Sequence, residues 1–357
     1  MTRVCLVTCY FDPDYVRSRA LRAGLSANDD IELIDIKNHH RGLMRYPEVL
    51  LRILWTRLRV RPDMYLLAFR GQEVLPFLLI LAWPKPVVFD EFIVPLAWAT
   101  QEGHRKTART QLFKILAQAS SPFYRFWLRS CKYILTDTEI HARVSAHISR
   151  VPYEKYRVIP VGTDETLFKP LPRKQKSNGT FQVFFYGLKM TPLHGLQYIL
   201  AAAEVLGEDP AITLTIIGGD DSTEEAVRLA NANGAHVAYK KFVPFAELPK
   251  IIAESDLCLG GPFGNTPQAR QVITGKTYQF IAMGVPTILG EVDEVTKFVD
   301  GENCLVVPQA DAKALARKVA WARSHPEKLK KIGMAGRKTY EEYYSNAVIS
   351  KTLREIV

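Results

Sequence analysis

Between Gly260 and Gly290 the chain reads GGPFGNTPQARQVITGKTYQFIAMGVPTILG, and twelve positions of it hold Asn265, Thr266, Gln268, Arg270, Gln271 and Lys276. Each of these side chains can hydrogen-bond a polar ligand, and the arginine and lysine bring positive charge to it. Such a set can bind an anion and stabilise negative charge as it develops. Leu257-Cys258-Leu259 is an apolar run ending in two glycines, which predicts a buried parallel strand delivering a loop to the top of a sheet. Pro262, Gly264 and Pro267 shape that loop. Thr277 to Met283 predicts a short helix, stopped by Gly284 with Pro286 behind it, and Thr287-Ile288-Leu289 predicts another buried strand. Strand, polar loop, helix and strand in this order present backbone N–H groups and a helix start to an anion.

The same rhythm runs through the rest of the chain. Arg3 to Cys9, Ile31 to Ile36, Met64 to Phe69, Pro86 to Asp90 and Tyr133 to Thr136 predict strands in the front half. The first ends in Tyr10-Phe11-Asp12-Pro13, a turn, and a helix is expected from about Asp14 to Ala27. Arg17 and Arg19 fall near its start, where they are either solvated or serve a ligand, since a cation there opposes the helix dipole. Asp90 and Glu91 end a strand, where ligands of parallel sheets gather; the plainer role for Asp90 is a cap. His141, in Asp137-Thr138-Glu139-Ile140-His141, is either a structural or solvated histidine or one that faces a ligand.

In the rear half, strands are predicted at Phe181 to Tyr186, Thr213 to Ile217 and Val237 to Tyr239. Helices are predicted near Ala246 to Ala253, Ala312 to Arg323, Pro326 to Tyr344 and Asn346 to Val357. The first of these strands runs into a loop bounded by Gly187 and Gly195. Asp220 and Asp221, after Gly218-Gly219, read as helix caps rather than as a metal site.

At 357 residues the chain is long for one domain and comfortable for two, and its 47% hydrophobic content excludes disorder. KPLPRKQKSNGT, residues 169–180, predicts a linker between domains 1–168 and 181–344, with a terminal helix at 345–357. Five scattered cysteines predict free, mostly buried thiols in a reducing compartment, and no zinc site. With a strand expected from Val4 onward and the longest apolar run near ten residues, neither a signal peptide nor a membrane span is expected. This predicts a cytoplasmic protein, or one lying on the membrane from the cytosolic side.

Residues 1–170 carry 25 Lys+Arg against 17 Asp+Glu, leaving 22 against 20 for the remainder. The front half therefore suits an anionic partner: a membrane surface, a phosphorylated lipid or a nucleic acid. Pro47 to Val60 predicts a helix with Pro47, Leu50, Leu51, Leu54, Trp55 and Leu58 on one face and Arg45, Glu48, Arg52, Thr56 and Arg59 on another. The favoured expectation is that the apolar face covers a sheet while the arginines meet anionic headgroups; the other is that the apolar face lies in a membrane interface. Gly103 to Lys132 is a second basic, aromatic-rich region, with Arg105, Lys106, Arg109, Arg125 and Arg129 beside Phe123, Tyr124 and Trp127.

These motifs together resemble family-four, GT-B-type glycosyltransferases over essentially the whole chain. The resemblance is to a bacterial branch with G-x-F-G-N-T-x-K-A-x-R-V-I-x-x-K-x-Y and an A-x-G-x-P ending. Phe263-Gly264-Asn265-Thr266, Ala269, Val272-Ile273, Lys276, Tyr278 and Ala282-Met283-Gly284-Val285-Pro286 follow it, and Pro192-Leu193-His194-Gly195 is similar to the same branch. Gln268 departs where lysine is usual, and Gln271 and Gln279 stand where many relatives carry glutamates near the donor sugar and the ribose. Leu188 and His194 stand where an arginine and a lysine often grip a diphosphate, and Lys189 could supply the missing charge. Lys297 replaces a frequent glutamate.

The resemblance implies an α/β fold of GT-B type: two Rossmann-like doubly wound domains facing a cleft, without a metal or other cofactor. It implies a retaining glycosyltransferase of cell-envelope glycan synthesis, moving a sugar from a nucleotide sugar to a glycan or polyprenyl-phosphate-linked acceptor. Lys276, Arg270 and Asp90 would act in the chemistry. Gly187, Lys189, His194, Gly195, Phe263, Gly264, Asn265, Thr266, Gln271 and Gln279 would hold the donor, and Tyr10, Arg17, Arg19 and His141 would lie on the acceptor side. Three other readings compete: a scaffold that has lost its donor acids, a nucleotide-sugar epimerase, and a nucleic-acid binder, the last without a recognition motif.

Overall fold

A computed structural model describes residues 1–93, 120–172, 179–294 and 296–357. It divides into two compact units, one of Met1–Gly162 with Asn346–Val357 and one of Thr163–Ser345. The boundary falls at Gly162 rather than after residue 168 because Phe168 is fully buried in the second unit, packed with Ile252 and Phe184. Residues 173–178 of the expected linker, and Arg105, Lys106 and Arg109 of the second basic region, lie outside the described residues.

The first unit holds strands β1 (Thr2–Thr8), β2 (Ile31–Lys37), β3 (Met64–Leu67), β4 (Val87–Asp90), β5 (Tyr133–Thr136) and β6 (Tyr156–Val158). They pair in parallel in the order β2-β1-β3-β4-β5-β6, with Val4 of β1 between Leu33 and Met64. Alternate residues of β1 feed two cores. Cys5 and Val7 meet helices α2 (Arg45–Arg59) and α3 (Leu75–Ala82), while Val4 and Leu6 meet α1 (Val16–Ser26). Both faces of the sheet are covered, which is why its strands are apolar runs rather than alternating ones. Helix α4 (Glu139–Ser149) starts at Thr138, whose side chain accepts from the His141 N–H.

The expected face of α2 is not the one that packs. Val49, Ile53 and Thr56 are the buried residues, and Leu51, Leu54, Trp55 and Leu58 are exposed. The helix has two apolar sides, and the sheet takes the narrower one.

The second unit repeats the plan with β7 (Phe181–Tyr186), β8 (Ile212–Ile217), β9 (Val237–Lys240), β10 (Leu257–Leu259), β11 (Thr287–Gly290) and β12 (Leu305–Val307). The order is β12-β11-β10-β7-β8-β9, again all parallel. Phe185 and Val183 face helices α5 (Leu196–Leu206) and α9 (Ala312–Ser324), and Phe184 faces α7 (Leu248–Glu254) and α8 (Gly275–Ala282). Asp220 caps α6 (Asp221–Ala232), accepting from the N–H groups of Ser222 and Thr223. Helix α10 (Pro326–Tyr343) follows, and α11 (Asn346–Ile356) belongs to the first unit, where Ile349, Leu353 and Ile356 join the α1 core. All five cysteines are buried.

Candidate functional site

In the second sheet the strand order reverses between β7 and β10, so the loops leaving these two strands diverge and open a crevice at their C-terminal ends. The loop after β7 runs from Gly187 to Gly195, and the loop after β10 carries Phe263, Gly264, Asn265 and Thr266. The two are joined backbone to backbone. The Gly264 N–H donates to the Leu193 carbonyl at 3.0 Å, and a Cβ on Gly264 would stand 2.0 Å from the Pro192 oxygen. Gly195 has φ +68°, and a Cβ there would meet the Phe263 carbonyl carbon at 2.4 Å. Only glycine permits this approach at both positions. Phe263 is buried in the core, Thr266 accepts from the Ala269 N–H at 3.1 Å, and Asn265 is exposed.

Lys276 lies in the first turn of α8, which is buried along its length. The residue is 6% exposed, and its Nζ is buried without a hydrogen-bond partner among the described residues. The ammonium rests 4.4 Å from the centroid of the Phe185 ring, and the His194 ring lies 6.3 Å from the same ring. Burial pulls the Lys276 pKa down to about 7, and burial together with Lys276 holds His194 well below the usual histidine range. The Thr191 N–H donates to His194 Nδ1 at 3.2 Å, so the neutral ring carries its proton on Nε2 and has a donor to offer. A buried lysine, a histidine N–H and a helix N-terminus thus gather at the crevice with their positive character uncompensated.

Other residues expected here have different duties. Arg270 is exposed and pairs with Asp293, with Nη2 to Oδ1 at 2.8 Å and Nε within 3.2 Å of both oxygens. Gln279 is buried and its Oε1 accepts from the Tyr186 hydroxyl, so that oxygen is committed inside the protein. Lys189 is exposed, Gln271 is half-buried, and Gly187 is packed under Gly218, whose Cβ would strike the Gly187 oxygen at 2.0 Å.

In the first sheet the reversal lies between β1 and β3. Tyr10, Tyr15, Phe69 and Phe92 cluster there, with Tyr10 5.1 Å and Tyr15 5.0 Å from Phe69 between ring centroids. Asn38 fixes the loop by accepting from the Tyr10 N–H at 3.0 Å and donating to the Tyr10 carbonyl at 2.9 Å. Arg17 is neither a solvated residue nor a free ligand group. It is fully buried, with Nη2 2.9 Å from Asp90 Oδ1, Nε on both Asp90 oxygens, and Nη1 donating to the carbonyls of Ile159 at 2.5 Å and Pro160 at 2.8 Å. Asp90 is likewise without exposed side-chain surface, its carboxylate held in this ion pair. Arg19 is half-buried on the same helix.

His141 is buried with Nδ1 2.6 Å from Asp137. Burial acts to lower its pKa, but Asp137, with Glu91 and Asp90 beyond, carries it above the ordinary value. Glu91, which sequence reasoning left without a role, is buried between Tyr124, at 2.6 Å, and the Ser145 hydroxyl, and burial raises its pKa. Its only sequence signal was its place beside Asp90.

The model of the family described as Glycosyl transferases group 1 matches residues 180–324, the core of the second unit. No curated protein sequence matches the chain. Among solved structures, the chain is similar to Anabaena HepE in complex with UDP and glucose, at 12% identity, 99% coverage of both chains and a TM-score of 0.70. It is similar to the sucrose-phosphate synthase of Thermosynechococcus elongatus at 14% identity, covering 100% of this chain and 98% of that one, with a TM-score of 0.73. A glycosyltransferase from Rickettsia africae gives 12% identity, 99% and 97% coverage and a TM-score of 0.71. The chain therefore has the two-sheet GT-B fold of glycosyltransferases, and its second unit carries the match to glycosyl transferases of group 1.

Proposed function

We propose that the protein is a glycosyltransferase that moves a sugar from a nucleotide-sugar donor to a glycan or lipid-linked acceptor, with retention at the anomeric carbon. The observation that carries this reading is Lys276, a buried ammonium with no hydrogen-bond partner among the described residues, at the crevice between β7 and β10. An isolated buried charge is costly, and an anion would relieve it. The match of the surrounding residues to the group 1 model, and the UDP and glucose bound to HepE, support a nucleoside-diphosphate sugar as that anion.

In the reaction the bond between the anomeric carbon and the diphosphate oxygen breaks, and an acceptor hydroxyl forms the new bond on the same face of the sugar. The hydroxyl proton leaves with the departing diphosphate. The chain's part is to stabilise the charge growing on that diphosphate. Lys276 Nζ, the Nε2–H of His194 and the first N–H groups of α8 would provide this. Asn265, Thr266, Lys189 and Gln271 remain as polar groups around the donor. The acceptor would lie over the aromatic group of Tyr10, Tyr15 and Phe92 in the first unit, and the reading includes a cytoplasmic site of action and a part in envelope glycan synthesis.

Calorimetric titration with UDP, GDP, ADP and CMP and their sugars tests the donor site. One nucleotide family should bind, and Lys276→Ala should weaken it while leaving the fold intact. Losing one charged donor should also cost about 3–4 kcal/mol of transition-state stabilisation in a transfer assay. Failure of every nucleotide to bind the folded wild type would favour the non-catalytic scaffold, and wild-type binding by Lys276→Ala would remove that residue from the site.

A further inference from the structure

The first unit leaves a large apolar surface bare. On α2, Leu51, Leu54, Trp55 and Leu58 are 67, 41, 60 and 65% exposed, and they lie on the side of the helix opposite the buried Val49, Ile53 and Thr56. On α3 and at the residue that ends it, Phe77, Ile80 and Trp83 are 51, 73 and 76% exposed at a spacing of three, a second stripe beside the first. The two helices meet where Arg57 Nη2 donates to the Trp83 carbonyl at 3.1 Å, which places the two stripes on neighbouring elements. Leu43 and Met44, also exposed, extend the patch before α2. Isolated exposed apolar residues are ordinary, but two exposed stripes on neighbouring helices with two tryptophans are not.

The charge around the patch selects its partner. Residues 41–61 contain six arginines and one acid. Arg41, Arg59 and Arg61 are exposed, while Glu48 is taken up by Arg52 at 3.1 Å and by the backbone N–H groups of His39 and His40. A second copy of the chain seated here would bring its own arginines against these, which opposes symmetric pairing. A surface that is anionic at its boundary and apolar beneath matches both features. No helix among the described residues is long and apolar enough to cross a membrane.

We infer that α2 and α3 dock the protein on one leaflet of an anionic bilayer. Leu51, Leu54, Trp55, Leu58, Phe77, Ile80 and Trp83 enter the headgroup boundary, and the arginines pair with lipid phosphates. The surface belongs to the first unit and stands or falls apart from the donor site.

Co-sedimentation of the full chain with lipid vesicles tests this, using phosphatidylcholine alone and phosphatidylcholine with about a third phosphatidylglycerol. The protein should sediment with the anionic vesicles and much less with the neutral ones. Leu54→Ser/Trp55→Ser/Leu58→Ser should weaken that binding at least about tenfold with nucleotide binding unchanged. Arg41→Gln/Arg59→Gln should weaken it several-fold and reduce its sensitivity to salt. Absence of binding to anionic vesicles, or equal binding by the triple variant, overturns the inference. Light scattering that shows a dimer which the triple variant dissolves overturns it in favour of a second copy as the occupant. If the triple variant does not fold, the arginine variant decides: binding that ignores its lost charges and the lipid charge rules the bilayer out.

Discussion

Arg17 and Lys276 are both buried cations at the loop ends of their sheets, and their surroundings differ completely. Arg17 shares its guanidinium among both oxygens of Asp90 and two backbone carbonyls. Lys276 has an aromatic face and a neutral histidine beside it, and no acceptor among the described residues. A cation satisfied from within holds a unit in shape, whereas one left unsatisfied lowers stability and keeps a place for something that binds from outside. Satisfaction, rather than burial or charge, separates the structural cation from the candidate functional one.

The largest effects should come from breaking the satisfied pair. Arg17→Leu or Asp90→Asn should each cost about 3–5 kcal/mol in denaturant unfolding, because the remaining partner stays buried alone. The double change Arg17→Leu/Asp90→Leu should recover much of that loss; if the single changes are neutral, the contrast with Lys276 fails. Lys276→Met should move two readouts in opposite directions. Nucleotide affinity should fall while thermal stability rises by on the order of 1–3 kcal/mol, since a costly buried charge is gone and the apolar stem remains. A loss of stability in that variant would mean Lys276 is structural after all.

The glycine junction sharpens the same comparison from another side. Gly264→Ala places a methyl group against the Pro192 oxygen and should cost about 1–3 kcal/mol, with a larger proportional loss of nucleotide affinity than of overall stability.

The smallest effect is on pH dependence, and the two units should respond with opposite sign. His141 is raised above 6.5 in the folded state, so the first unit holds its full contribution below that pH and loses it as pH rises through the folded value. Lys276 is lowered from 10.5 to about 7, so the second unit carries its full penalty below about pH 7 and gains stability as pH climbs toward 10.5. Hydrogen exchange followed separately in the two units at pH 6 and pH 9, corrected for the intrinsic rate, would show whether the slopes diverge. Nucleotide binding near neutral pH should also take up a proton at Lys276, visible as a buffer-dependent heat.

Much of the fold was legible because it rests on local signals. Apolar runs such as Phe181–Tyr186 and Tyr133–Thr136 fell on strands with those bounds, and Asp220 caps its helix as its position before α6 implied. The site was legible in part. Gly195 and Gly264 lie in two loops that the chain brings together, and Lys276 lies in the helix that follows the second. The Arg17–Asp90 pair spans 73 positions and the Arg270–Asp293 pair spans 23, so no local pattern announces either. Gln279 looked available because its partner, Tyr186, lies 93 positions away on another strand. Helix α2 misled for a different reason: a helix apolar on two sides has a periodicity that cannot say which side the sheet will choose.

The division of the chain also sets an order of assembly. Thr163–Ser345 is continuous, but the first unit needs Ile349, Leu353 and Ile356 to close the core over α1. A ribosome must therefore finish the whole second unit before the first can be completed. The leading unit cannot be completed before the next one has emerged. Until Asn346–Val357 arrives, the α1 side of the leading sheet waits with apolar surface uncovered, a window in which a chaperone has the most to hold.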